Sequence, residues 1–302
     1  MKQKIVIPLT VPKTKQALYK KNYMLATQET GNLFLFAGDQ KIEHLNANFR
    51  ISGTQTFIEP EYLFEIASKA RIGVFAAQMG LISRYADKYR NVNYLVKINS
   101  KSNILPANIQ DPLSAQLNSV QQVVDFKKSS GLSIVGVGFT LYLGSEYEAS
   151  MMEQASQAII EAHKHGLIAV LWIYPRGQAV ASELDENIIA GAAGVATTLG
   201  ADFVKVNPPK AHNNLESAKK LIQATTAAGN TGVVCSGGSL KNTEQFLEEL
   251  YNQINTGKTR GAAIGRNIYQ KHLPEALAFC TAAAAIIFDS ENYETAKKLL
   301  KK

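Results

Sequence analysis

The chain has 302 residues, is 46% hydrophobic and 19% charged, and carries a formal net charge of +7. That apolar content excludes extended disorder, and the length suffices to bury one large core. No aromatic-basic recognition motif or zinc-knuckle spacing accompanies the basic excess, so a surface attractive to phosphorylated small molecules is expected, and no nucleic-acid partner.

The first thirty residues read as an N-terminal extension packed outside the main fold. Lys13, Lys15, Lys20 and Lys21 make this segment basic. Its apolar stretch is short and broken by Pro8, with no small-residue cleavage site, so no export signal is expected. From residue 31 onward, short β-branched or aromatic runs alternate with segments of helical period. The strand candidates are Leu33 to Ala37, Gly73 to Ala77, Tyr94 to Ile98, Ser133 to Val137, Ile168 to Ile173, Phe203 to Val206, Gly232 to Cys235 and Gly261 to Ile264. Helices are expected over Glu61 to Ala70, Ala149 to His165, Ile188 to Leu199, Leu215 to Ala228 and Thr243 to Ile254, with Pro274 opening a last one. Gly166, Gly200 and Gly229 stand where glycine C-caps would stop three of these. Residues 99 to 116 read as a long loop after the third strand.

Eight such units predict an α/β fold, a TIM (β/α)₈ barrel over 31–302 as a single domain with the extension at 1–30. A doubly wound open sheet is the alternative, but the glycine-rich turn expected after its first strand is missing. The two cysteines, Cys235 and Cys280, form neither a disulfide framework nor a metal-binding spacing, which fits a cytoplasmic location. The run from Cys280 to Phe288 is too short to span a bilayer, so no membrane partner is expected.

A barrel places its chemistry at the C-terminal ends of its strands. Lys205 lies in a buried apolar strand, where desolvation lowers an ammonium pKa and frees the amine as a nucleophile. Lys97, at the end of the third strand, has a similar setting. It could be a second cation that depresses the pKa of Lys205, or a partner for a carboxylate such as Asp39; position alone does not choose between the two lysines. The last two strands end in Ser236, Gly237, Gly238 and in Gly265, Arg266, Asn267. Glycines let backbone amides approach an anion and Arg266 adds a forked charge, so a phosphate site is expected there. Trp172 and Tyr174 are two apart on one strand and face the same side. Each has an ordinary alternative, as core aromatics for this pair and as a turn cap for Asp39. None of the five histidines (His44, His163, His165, His212 and His272) sits squarely at a strand end, so no metal is expected.

The strings TLYLGS (140–145), LWIYPRG (171–177), GADFVKVNPP (200–209), CSGGS (235–239) and IGRNIYQ (264–270) resemble the archaeal-type class I fructose-bisphosphate aldolases, in the superfamily that contains deoxyribose-phosphate aldolase. The resemblance runs from about the first strand through the eighth. It implies that Lys205 forms a covalent imine with no cofactor, that Tyr174 handles protons with Trp172 beside it, and that Asp39 ends the first strand as a catalytic carboxylate. It implies that Ser236, Gly237, Gly238, Gly265 and Arg266 bind substrate phosphate, and that the protein is a homo-oligomer, possibly a large ring assembly. The activity so implied is reversible cleavage of a ketose phosphate, fructose 1,6-bisphosphate first among them, to dihydroxyacetone phosphate and glyceraldehyde 3-phosphate. A second phosphate could use Lys241 or Lys41. Other expectations on the same fold are a transaldolase-like or thiolase-like enzyme on another phosphorylated substrate, and a non-catalytic sugar-phosphate-binding barrel. One departure stands out: many relatives carry Asp-His-Gly after the first strand, and this chain has Asp39-Gln40-Lys41.

Overall fold

A computed structural model of the protein describes residues 5–44 and 46–301; the first four residues of the extension, Leu45 and Lys302 lie outside them. Eight parallel strands close into a barrel: β1 (Leu33–Ala37), β2 (Val74–Gln78), β3 (Tyr94–Lys97), β4 (Ile134–Leu143), β5 (Ile168–Pro175), β6 (Phe203–Val206), β7 (Gly232–Ser236) and β8 (Gly261–Ile264). Closure is made by β1, which pairs with β8 on one side and β2 on the other.

Alternation along each strand divides the core in two. Leu33, Leu35, Val74, Leu95, Val170, Phe203 and Val234 point inward and fill the lumen. Phe34, Phe36, Phe75, Val96, Leu171 and Val204 point outward, under the helices. A strand buried on both faces must be apolar at every position, which is why these runs stood out in the sequence.

The helices start where side chains satisfy their free N–H groups. Asp185, Asn213 and Asn242 accept backbone hydrogen bonds at the starts of Glu186–Leu199, Asn214–Ala228 and Thr243–Asn255. Gly200 ends the first of these in the left-handed region at φ +91°. The helix Val120–Ser130, absent from the sequence-based expectations, opens on a capping box between Ser119 and Gln122.

The barrel also differs from expectation at two strand ends and in one loop. β4 and β5 run past their expected ends and stay paired from Gly136 and Ile168 up to Leu143 and Pro175. Six further residues of β4 thus lift Tyr142 to the barrel mouth beside Tyr174. The loop after β3 is pinned rather than free. A two-residue ribbon joins Asn99–Ser100 to Ala115–Gln116, and buried Asn99 bonds to the backbone of Ser114 and Thr140.

The extension carries a helix, Gln16–Thr27, laid across the N-terminal end of the barrel. Its Tyr19 hydroxyl bonds to Asp202 just before β6, Asn22 donates to Gly166 O, and Tyr23 stacks on Phe203 at 5.5 Å. It therefore covers the floor of the barrel, and its Tyr19, Tyr23 and Ala26 pack with the residues of the inner core.

Candidate active site

The period-two alternation that fills the lumen also delivers the polar groups at its mouth. Asp39 continues the inward series Leu35, Ala37; Lys97 follows Leu95; Lys205 follows Phe203; Trp172 and Tyr174 follow Val170. β5 and β6 pair with Trp172 opposite Lys205. The indole lies near both lysine nitrogens, 5.1 Å from Lys97 Nζ and 5.7 Å from Lys205 Nζ. Gly138 makes room for it, since a Cβ there would come within 2.4 Å of the indole.

The structure separates the two lysines. Lys97 Nζ lies 3.7 Å from Asp39 Oδ2 and 3.5 Å from Glu43 Oε1, with the lysine and Asp39 side chains sealed from solvent. Among the described residues Lys205 makes no hydrogen bond or ion pair, although it is only 2% exposed. Burial lowers its pKa; the carboxylates of Asp39 and Glu43 oppose that, and the charges of Lys97 and Arg266 reinforce it. Lys97 thus occupies both positions considered for it, as carboxylate partner and as neighbouring cation. Lys205 is left as the unpartnered amine facing the cavity, its pKa lowered by burial.

The other groups are set by the same burial. Desolvation raises the Asp39 pKa against the pull of Lys97, and its Oδ1 is buried without a hydrogen bond among the described residues. The Tyr174 phenol is pushed well above its ordinary value, by desolvation first and then by the carboxylates of Glu43 and Asp39. It keeps its proton at neutral pH and can give it up only to a strong base, such as a carbanion. Tyr142 stacks beside it at 6.2 Å.

The opposite wall of the cavity comes from β7 and β8. Ser236 Oγ donates to Asn207 Oδ1 at 2.6 Å, and Gly237 N–H donates to Ala263 O at 3.1 Å. The Gly237 amide is therefore engaged in the sheet; what this residue offers the cavity is its missing side chain. Gly238 sits at φ +65°, in the region that favours glycine. Gly265 is required by close approach, because a Cβ would meet Gln40 Oε1 at 2.3 Å and Ala37 O at 2.9 Å. Arg266 lines the same cavity, and its Nε is buried without a hydrogen bond among the described residues.

All nine sequence-predicted residues, Asp39, Trp172, Tyr174, Lys205, Ser236, Gly237, Gly238, Gly265 and Arg266, line one cavity of about 260 Å³. Lys241 and Lys41 do not. Lys241 Nζ is bound to Glu249 at 2.5 Å, and Lys41 lies over Phe49 and bonds to Asn46. The additional charged or titratable groups at the cavity are Glu43, His44, Tyr142 and Arg176. Arg176 is held in a two-pronged pair with Glu183 at 2.6 and 2.8 Å. His44 is pushed down to about 4 by burial and then by Arg266, so its imidazole is neutral at pH 7. Arg176 stood in the quoted Tyr-Pro-Arg-Gly string, one residue past β5. Glu43 and His44 gave no signal, because only the short helix Gln40–Glu43 swings them back over the mouth. Among the described residues no group of three or more His, Cys, Asp or Glu side chains is placed to hold a metal ion. No described helix is long and apolar enough to cross a membrane.

A buried amine with a lowered pKa, a protonated phenol and a carboxylate at the mouth of a (β/α)₈ barrel define a Schiff-base-forming enzyme. The profile described as DeoC/LacD family aldolase matches residues 33–271, and the chain belongs to that family. It is 52% identical over 299 residues to the fructose-bisphosphate aldolase/6-deoxy-5-ketofructose 1-phosphate synthase of Methanocaldococcus jannaschii, covering 99% of this chain and 95% of that one. The solved fructose-bisphosphate aldolase from Slackia heliotrinireducens superposes with a TM-score of 0.95 at 48% identity, over 100% of this chain and 95% of that chain. An archaeal fructose-1,6-bisphosphate aldolase, solved with its catalytic lysine covalently bound to the carbinolamine intermediate, matches with a TM-score of 0.75 at 29% identity, over 89% and 99% of the two chains.

Proposed function

We propose that the protein cleaves and forms fructose 1,6-bisphosphate through an imine on Lys205. The observation that carries this reading is Lys205 itself: a sealed, unpaired amine of lowered pKa facing a cavity whose rim bears Arg266 after β8 and Arg176 after β5. Lys205 Nζ adds to the C2 carbonyl, and loss of water leaves an iminium ion. That cation takes up the electron pair of the C3–C4 bond as a water molecule takes the C4 hydroxyl proton, releasing glyceraldehyde 3-phosphate and leaving an enamine; Tyr174 regains from water the proton it gives to C3 in the next step. Tyr174 then protonates C3, and water hydrolyses the iminium to free dihydroxyacetone phosphate. The unpaired Oδ1 of Asp39 holds a substrate hydroxyl.

Ser236, Gly237, Gly238, Gly265 and Arg266 form the cradle for one phosphate. Arg176, with neutral His44 beside it, takes the second in place of Lys241 or Lys41. Dihydroxyacetone phosphate formed from fructose 1,6-bisphosphate, measured with and without Lys205→Met, tests this reading; equal rates would sink it.

A second reading is favoured by the double name of the Methanocaldococcus jannaschii relative. The enamine on Lys205 could be captured by a different carbonyl acceptor, making another ketose phosphate at the same site. Supplying a second aldehyde during turnover and looking for the new product tests it. We place the activity in cytoplasmic sugar-phosphate metabolism (glycolysis and gluconeogenesis), which the buried, unpaired Cys235 and Cys280 support. We also take the active species to be a homo-oligomer. The apolar Ile104 and Ile109, 72% and 67% exposed on the loop after β3, support that, and light scattering tests it.

A further inference from the structure

We propose that Asn267 is a positioning residue for phosphate recognition: it locks the loop after β7 to the loop after β8, so that the groups facing the phosphate are held in one arrangement. The inference rests on the reading above that these two loops cradle a phosphate.

β7 and β8 are paired over only two positions, Cys235 with Ala262 and Ser236 with Ala263. Beyond them the ladder leaves a single bond, Gly237 N–H to Ala263 O. The loops that follow hold the anion-facing glycines and Arg266, and the sheet does not fix their separation. Asn267 does. It is only 1% exposed, and both N–H donors and one oxygen lone pair of its carboxamide are used across the gap. Nδ2 donates to Gly237 O at 2.9 Å and to Ser239 O at 3.0 Å, while Oδ1 accepts from Lys241 N–H at 2.9 Å. Three backbone groups spanning one loop are thereby bound to the residue next to Arg266. The far end of that loop is tied by Lys241 Nζ to Glu249.

Asn267 does not line the cavity, so it acts through the loops it joins. An apolar residue of the same size would leave two carbonyls and one N–H of the loop without partners. Misplacement of a binding group by about 1 Å costs a reaction on the order of 100-fold. The effect should fall on ligands that carry a phosphate and spare the amine chemistry of Lys205.

The test compares borohydride trapping on Lys205 with dihydroxyacetone phosphate and with unphosphorylated dihydroxyacetone, reading the half-saturating concentration of each. Wild type should favour the phosphorylated ketone strongly. Asn267→Ala should lose about 10- to 100-fold of that preference, while trapping dihydroxyacetone as wild type does. Asn267→Asp keeps the shape and the acceptor for Lys241 N–H; it should lose preference in the same direction, and serves if the alanine variant does not fold. A variant that keeps the wild-type preference, or that loses both ketones equally, overturns the proposal. A wild type without preference would instead remove the phosphate reading on which it stands.

Discussion

Lys97 Nζ and Asp39 Oδ2 lie 3.7 Å apart at the centre of the barrel mouth, both sealed from solvent. The contact ties the end of β1 to β3 and fixes the carboxylate near both Lys97 and Lys205. A buried ion pair of this kind contributes less to stability than to geometry, because desolvation offsets much of its attraction. Removing one partner is another matter, since it strands the other charge.

Lys97→Met should therefore lower the unfolding free energy by about 3–5 kcal/mol. It should also raise the pKa of Lys205, because a cation that disfavours the ammonium is gone while both carboxylates remain. Trapping rates measured against pH should show their rise moved to more alkaline pH. A profile that moved to acid, or stayed in place, would contradict the electrostatic role assigned to Lys97.

Tyr174→Phe keeps the ring and removes the proton. Imine formation on Lys205 should persist, whereas exchange of the C3 proton of dihydroxyacetone phosphate with solvent should slow by about 10²–10⁴-fold. Exchange followed by NMR in deuterated buffer reads this directly. Exchange at the wild-type rate would assign the proton transfer elsewhere.

His44 makes stability depend on pH. Its pKa is about 4 in the folded protein against 6.5 ordinarily. Between those values the unfolded chain binds a proton that the folded protein does not. Folding therefore weakens as pH falls from 6.5 toward 4, and the loss levels off below that. His44→Gln should flatten this part of the curve, as read from Tm at several pH values in that window. An unchanged slope would show that His44 is charged in the folded state.

The barrel was legible because each strand is apolar on both faces and several helices end at glycine, so pattern and period agreed. The ends of β4 and β5 were not, because Thr140 to Leu143 lies beside Gly144 and reads as the start of a loop; only pairing with β5 keeps it extended. In the site, the placing of Lys205, Tyr174 and Asp39 at the barrel mouth was legible from strand ends and period two, whereas their roles came from the family resemblance. The choice of Lys205 over Lys97 was not legible from position, because it depends on which amine has carboxylates within 4 Å, a fact of three strands at once. Asn267 was quoted within a motif, yet its role lies in bonds to residues 26 to 30 positions away.

The most direct measurement is borohydride reduction in the presence of fructose 1,6-bisphosphate, followed by peptide mapping by mass spectrometry. A single reduced adduct on Lys205, absent in Lys205→Met, is the predicted result. An adduct on Lys97, or none on either lysine, would contradict the account.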